Sequence, residues 1–244
     1  MKIEVCVDNI ESALTAVKAG ADRLELCGSL DVGGITPAYS LIKYVVKNLS
    51  IESYVMIRPR SGDFLFNRLE VQMMLEDIQI AKQLGANGVV IGALTSNAEI
   101  DLTVCRHLIQ AANGMGITFH RAFDLCADPK QALEDLINLG CHRVLTSGQA
   151  INAFKGRKML TELVKQAQGR ISIMAGAGVN AENAVEIITT TGVNELHLSG
   201  KKYRNSQMKR ISPVIMGNSI EDDLKIRITD FKKIKAIKQK LLSY

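Results

Sequence analysis

Tryptophan is missing from the 244 residues, six phenylalanines and five tyrosines are the whole aromatic complement, and proline occurs four times. A chain that is nonetheless 47 % apolar must build its core from Val, Ile, Leu and Ala. That composition suits packed strands and helices and excludes a disordered or proline-rich linker protein. No uncharged apolar run approaches the ~20 residues that span a bilayer, so an integral membrane helix is not expected. Nor do the first residues, Met1-Lys2-Ile3, open the charged, apolar and small-residue regions of a secretory leader. Cysteine is scarce, odd in number at five and scattered, which speaks against a disulfide framework. Free thiols in a reducing compartment follow, and the expected location is the cytoplasm.

The net charge of +5 is the one compositional hint of a polyanionic partner. Divided by position, it loses its force: residues 201–244 hold 12 Lys and Arg against 4 acids, whereas residues 1–200 hold 18 against 21. The excess sits where Lys232, Lys233, Lys235, Lys238 and Lys240 alternate with Ile234, Ile237, Leu241 and Leu242, the pattern of an amphipathic helix with a solvated basic face. With no aromatic platform beside the charge, nucleic acid is not an expected partner.

Short apolar or alternating runs recur with helical patterns between them, as parallel strands joined by crossover helices require. Eight are found, over residues 3–8, 23–29, 54–60, 88–94, 117–124, 143–148, 171–178 and 195–200. Gly20, Gly85, Gly140 and Gly192 stand just ahead of strands as helix C-caps, and Thr36-Pro37 and Asp128-Pro129 read as helix starts. The length suits one domain over residues 1–244. Eight consecutive units and a final helix near 229–243 predict an α/β chain closed as a (β/α)8 TIM-like barrel, in preference to an open doubly wound sheet. Residues 201–224 show no periodicity and read as a long loop between the last strand and last helix, placed to cover a site or meet a partner subunit.

In a barrel the side chains facing the helices are apolar and the alternate ones enter the lumen. By that rule Glu4, Cys6 and Asp8 of the first strand point inward, as do Glu25 and Cys27 of the second and Met56, Arg58 and Arg60 of the third. Thr118 and His120 of the fifth, Ser147 of the sixth and Glu195, His197 and Ser199 of the eighth join them. Barrel interiors are normally filled by branched apolar residues, so a lumen this charged points to a site at the C-terminal strand ends. Glu4, Glu25, Arg58, Arg60, His120 and His197 are the candidate catalytic groups. A self-neutralising ion network, with Arg58 between Glu4 and Glu25, is the structural alternative. The two histidines with the carboxylates suit general acid–base work, or with one carboxylate a divalent-metal site.

Ser147 and Gly148, Gly176 and Gly178, and Ser199 and Gly200 follow strands six, seven and eight, where barrels commonly present backbone N–H groups to phosphate; tight turns alone would also ask for glycine. Cys6 and Cys27 fall on neighbouring strands, about 4.8 Å apart in the sheet direction. Two thiolates are what Cu(I) prefers, although buried free cysteine is often only a small hydrophobe.

These residues fall in ordered motifs: Val5-Cys6-Val7-Asp8, Gly20-Ala21-Asp22-Arg23-Leu24-Glu25-Leu26-Cys27, Met56-Ile57-Arg58-Pro59-Arg60, Phe119-His120-Arg121-Ala122-Phe123-Asp124 and Val144-Leu145-Thr146-Ser147-Gly148. In them the chain closely resembles the CutC copper homeostasis proteins, over essentially its whole length. The resemblance implies a cytoplasmic TIM-like barrel, often a homodimer, linked to copper tolerance, with Cu(I) at the cysteines matching Cys6 and Cys27. It implies no reaction. Two functions therefore stand side by side. One is a copper-handling protein that binds Cu(I) through Cys6 and Cys27, assisted by Met56 if it lies close. The other is an isomerase, epimerase or lyase acting on a small phosphorylated or carbohydrate-like metabolite. Expected partners are a copper ion or a small anionic metabolite and a second copy of the chain, with no nucleic acid and no membrane.

Overall fold

The eight apolar runs form eight parallel strands: β1 Lys2–Val7, β2 Arg23–Leu26, β3 Glu52–Met56, β4 Gly88–Ile91, β5 Gly116–Phe119, β6 Arg143–Thr146, β7 Ser172–Ala175 and β8 Glu195–Leu198. The structure, a computed structural model, describes residues 1–209, 212–217 and 219–243. Strand order follows chain order, and β8 pairs back onto β1 with Lys2 opposite Glu195 and Val5 opposite Leu198, which closes the barrel. Between the strands run α1 Ile10–Ala19, α2 Tyr39–Asn48, α3 Arg68–Leu84, α4 Leu102–Ala111, α5 Pro129–Asn138, α6 Arg157–Ala167 and α7 Ala184–Thr191. The short α8 Ile220–Asp223 and the terminal α9 Phe231–Leu242 follow.

The alternation rule holds in the packing. Ile3, Val5, Val7, Leu24 and Leu26 are fully buried in the main core outside the barrel wall, each contributing about 1.5–3 kcal/mol by leaving water. Helix punctuation is largely as the sequence predicts. Gly20 and Gly85 end α1 and α3 at φ of +94° and +89°, a conformation other residues resist. Asp128 accepts from the N–H groups of Lys130 and Gln131 ahead of Pro129. Thr36 is an exception: α2 begins only at Tyr39, after Ala38. Thr36 instead ties the loop after β2 to the end of β3, donating from its N–H to the Arg58 carbonyl at 2.9 Å and accepting the Arg58 N–H on Oγ1 at 3.0 Å.

The stretch 201–224 is not simply a loop. Lys201–Asn205 (β9) pairs antiparallel with Lys225–Thr229 (β10), Lys201 opposite Thr229, in a two-stranded ribbon beyond β8. Its sequence, Lys-Lys-Tyr-Arg-Asn, lacks an apolar alternation, and its partner lies some twenty residues on, so no local pattern announces it. Residues 210, 211 and 218 of this stretch lie outside the described residues. The ribbon is tied down by Arg227 to Asp31 at 2.7 Å and Arg204 to Glu11 at 3.1 Å. In α9, Ile234 and Ile237 are buried, and Lys238 reaches Asp22 at 2.6 Å, closing the helical ring against the start of the barrel. Among the described residues no helix is long and apolar enough to cross a membrane.

Candidate functional site

The lumen has two layers with different chemistry. The lower is an ion network in which Glu4 Oε1 and Arg23 Nη1 are left without hydrogen-bond partners among the described residues. Arg23, fully buried, donates from Nε to Glu4 and from a terminal nitrogen to Glu195. Arg143 meets the same Glu195 oxygen at 2.7 Å and donates to Thr118 Oγ1 at 3.0 Å, while Ser172 Oγ donates to the other Glu195 oxygen at 2.8 Å. Tyr54 lies across this layer with the Arg23 and Arg143 guanidinium carbons 5.1 and 5.3 Å from its ring centroid. The ring fits only because Gly88 and Gly116 lack side chains; a Cβ on either would overlap it. Burial opposes the charge on Glu195, but Arg143 and Arg23 outweigh it and hold its pKa at about 2.

Arg58 therefore does not neutralise Glu4 and Glu25 as the sequence suggested. Its terminal nitrogens donate to the carbonyls of Val32, Gly34 and Gly62 at 2.8–3.0 Å, and its guanidinium stacks 4.7 Å from the Phe64 centroid. Glu4 is paired instead with Arg23, Glu25 with His197 and Glu195 with Arg23 and Arg143; both arginines open their strands, where the alternation also points them inward, but a strand-opening arginine reads as a solvated flank. Arg60 is not in the lumen. It sits in the loop after β3, bonded to Glu70 at 2.5 Å and Asp63 at 2.9 Å.

The upper layer is the floor of an open cavity of about 1130 Å³ whose lining includes Cys6, Glu25, Met56, Arg58, His120 and His197. Glu25 stands opposite Cys6 across β1 and β2, and His197 stands opposite Glu4 across β8 and β1. His197 Nε2 lies 2.8 Å from Glu25 Oε2 and 3.8 Å from Glu4 Oε1. Burial disfavours charge on both partners, yet their attraction prevails, lifting the His197 pKa well above its usual value and lowering that of Glu25. For Glu4, burial wins and raises the pKa.

His120 is a different kind of histidine. Its Nδ1 accepts the Ala122 N–H at 3.2 Å, which places its proton on Nε2. Burial first, and then the Arg58 charge, push its pKa down to about 4, so the ring is neutral at pH 7. It is wedged against Phe64 and Phe119, with centroids 4.8 and 5.8 Å away, in space kept open by Gly92, where a Cβ would come within 2.6 Å of Nδ1. Three buried polar atoms of this layer, His120 Nε2, Glu25 Oε1 and Arg58 Nε, have no hydrogen-bond partner among the described residues. Such groups are costly unless something else satisfies them.

Of the expected anion-binding residues, half are spoken for. The N–H of Ser147 donates to the Asp124 carboxylate at 3.0 Å, that of Gly148 to Thr146 Oγ1 at 2.9 Å and that of Gly176 to the Thr146 carbonyl at 3.0 Å. Asp124, further held by Thr146 Oγ1 and Arg121 Nε at 2.5 and 2.7 Å, fills the turn after β6 where an external anion was expected. Gly178, Ser199 and Gly200 do line the cavity mouth, together with Lys201, Lys232 and Lys233.

Cys6 and Cys27 belong to one small apolar cluster with Met56, Tyr54 and Val90, but they are not equivalent. Cys6 lines the cavity, and its Sγ, a Glu25 oxygen and a His197 nitrogen all lie within 4.8 Å of one another. Cys27 is fully buried and outside the cavity lining, its sulfur lies near Gly34 and Glu25, and burial followed by the Glu25 charge raises its pKa well above that of an ordinary thiol. All five cysteines are free and buried.

The chain is 64 % identical over 239 residues to the family protein CutC of Histophilus somni, covering 98 % of both chains. It is 61 % identical to that of Pasteurella multocida over 244 residues, covering the whole of both. The solved CutC structure from Streptococcus agalactiae, a candidate copper homeostasis protein, superposes with a TM-score of 0.79 at 39 % identity, over 82 % of this chain and 98 % of that one. With the CutC family profile matching residues 1–202, this barrel belongs to the CutC family.

Proposed function

We propose that this CutC-family barrel binds a small anionic metabolite, phosphorylated or carbohydrate-like, in the upper lumen and moves a proton on it, as an isomerase, epimerase or lyase does. The observation that carries the reading is the set of buried unpartnered atoms at the cavity floor, His120 Nε2, Glu25 Oε1 and Arg58 Nε. A polar ligand there would satisfy a donor on one side and an acceptor on the other. A cavity of about 1130 Å³ is also far larger than a bare ion needs. In this reading neutral His120 polarises a ligand oxygen, Glu25 and His197 exchange the proton, Arg58 offsets developing negative charge, and Glu4 orients His197. The anionic end rests at Gly178, Ser199 and Gly200 beneath Lys232 and Lys233, at the ends of β7 and β8 beside the turn that Asp124 fills. Five buried thiols suit the reducing cytoplasm as its compartment.

The test is thermal stabilisation of the full chain by inorganic phosphate and a panel of phosphorylated sugars and acids, followed by deuterium uptake from solvent into the ligands that bind. A ligand at a hundred times its Kd adds about 2.7 kcal/mol. Lys232→Gln with Lys233→Gln should lose that stabilisation, and His120→Gln should keep binding but lose exchange. Stabilisation by no anion in the panel, or equal stabilisation of the lysine variant, would sink the proposal.

A second reading, Cu(I) handling, is favoured by one specific observation, the presence of Cys6, Cys27 and Met56 in one small buried cluster. Anaerobic Cu(I) titration against a competing chelator decides it. Tight binding lost in both Cys6→Ser and Cys27→Ser supports the cysteine pair, and unchanged stoichiometry in the double variant removes it.

A further inference from the structure

We propose that the cavity floor is a divalent-metal site of the zinc type, with Cys6 Sγ, a Glu25 carboxylate oxygen and a His197 ring nitrogen as its three protein ligands and the fourth position open to the cavity. The three donors come from adjacent strands, β1, β2 and β8, at the seam where the barrel closes, and their register is set by backbone pairing rather than by a loop. All three atoms already lie within 4.8 Å of one another. Tetrahedral zinc, with bonds of about 2.0–2.3 Å, asks for ligand atoms roughly 3.5 Å apart. The remaining contraction is about 1 Å, which side-chain torsions on fixed strands supply.

A second observation points to a missing ligand independently. Glu25 Oε1 is buried without a hydrogen-bond partner of its own while Oε2 is bonded to His197, and the Cys27 thiol beside this carboxylate is a weak donor. An ion bound through Oε1, with the His197 ring turned onto it, gives that oxygen the partner it lacks. Glu4 Oε1, likewise unpartnered, lies 3.8 Å from the same His197 nitrogen, a second carboxylate oxygen beside the site.

The donor set also selects the ion. One thiolate, one imidazole and one carboxylate form the mixed sulfur, nitrogen and oxygen environment of a borderline cation, and three protein ligands with an open position mark a site that does chemistry rather than one that only stabilises a fold. A Cu(I) site would discard the carboxylate and recruit Cys27, which is fully buried and outside the cavity lining. The site stands whether or not the metabolite reading is right. Where both hold, the open position receives a ligand oxygen, Glu25 and His197 become ligands, and proton movement passes to His120 and the metal-bound water.

The experiment is anaerobic titration of chelator-stripped full-length protein with Co²⁺, then Zn²⁺ affinity by competition with a chromophoric chelator. One equivalent of Co²⁺ is expected to give a thiolate-to-cobalt band in the near ultraviolet and visible bands of a four-coordinate ion, both removed by Zn²⁺. Cys6→Ser should abolish the thiolate band. Glu25→Gln and His197→Gln should each weaken Zn²⁺ by more than the ~10–100-fold that loss of an outer-shell partner costs. Cys27→Ser should keep the thiolate band and weaken Zn²⁺ far less than Cys6→Ser, because Cys27 touches the site only through Glu25. Absence of a stoichiometric band in the wild-type chain overturns the site, as does a band surviving Cys6→Ser or affinity as sensitive to Cys27 as to Cys6. Phosphate stabilisation of the metal-free protein is read in parallel. If it persists without a cobalt band, this site fails while the metabolite reading stands; a cobalt band without it does the reverse.

Discussion

Arg23→Met is the most exacting test of the lower lumen. Methionine nearly matches the length of the arginine stem, so the change removes charge and hydrogen bonds while leaving little void. Arg23 is fully buried and donates to both Glu4 and Glu195. Glu195 keeps Arg143 at 2.7 Å, but Glu4 is left with only a histidine nitrogen 3.8 Å away. Removing one member of a buried ion pair costs about 3–5 kcal/mol, because the remaining charge stays desolvated. In a domain of this size each kcal/mol moves Tm by about 2–4 °C, so a fall of roughly 6–20 °C is expected. Urea titration at pH 7 with an unchanged m-value measures the same loss directly. The cycle is closed with Glu4→Gln, which removes the stranded charge: the double variant should lose clearly less than the two single losses added together. A cost under about 1 kcal/mol for Arg23→Met, or strict additivity with Glu4→Gln, would refute the claim that Arg23 is there to hold buried carboxylates.

Two further predictions concern His120. Gly92→Ala places a methyl within 2.6 Å of Nδ1, in a slot closed by Phe64 and Phe119. It should cost about 1–3 kcal/mol by overpacking, and only a fraction of that in a His120→Ala background, as paired urea melts would reveal. The ring itself, with a pKa held down to about 4 by burial and Arg58, should stay neutral to about pH 5 by NMR. The unfolded chain takes up this proton below about 6.5, so His120 adds stability in full above that pH and loses it as pH falls toward 4, by up to about 3 kcal/mol. His120→Gln should flatten the slope of stability against pH across that window, and a wild-type ring titrating near 6.5 would contradict the burial argument.

Barrel class and the outward face of each strand were legible in the sequence because both rest on local periodicity. Alternation found Glu4, Cys6, Glu25 and His197 on the inner face, and capping chemistry found the helix ends at Gly20, Gly85 and Asp128. What failed was whatever depends on a partner far along the chain. The rule that points Glu25 inward points Arg23 inward too, but nothing local says that Glu195 waits across the closing seam to bond it. Arg58 was expected on the third strand but lies just beyond β3, which ends at Met56, and its partners are backbone carbonyls of Val32, Gly34 and Gly62, which have no sequence signature. The β9–β10 ribbon pairs polar residues across a gap of about twenty positions, beyond the reach of any pattern of apolar spacing. Expected strands also ran on too far at their C-terminal ends, because the apolar and lumen-facing character of residues such as Met56 to Arg60 continues past the last ladder bond into the loops that form the cavity rim.

The two layers depend on each other in a way that fixes how the site can be used. Tyr54 with Arg23 and Arg143 plugs the lower lumen, and the close fit of its ring over Gly88 and Gly116 leaves no passage through the barrel axis. A ligand must therefore enter and leave by the mouth, beside Lys201, Arg227, Lys232 and Lys233. Asp124 already satisfies the amides after β6, so a second anion there would meet a carboxylate in place of free donors. An anionic ligand is thus oriented before it reaches the floor, its charged end toward β7 and β8 and its other end over Glu25, His120 and His197. The plug also keeps water from the underside of Glu4 and Glu25. Their desolvation, which makes an unpartnered carboxylate oxygen costly, is the condition under which a proton, a metal ion or a substrate oxygen placed at that point is held firmly.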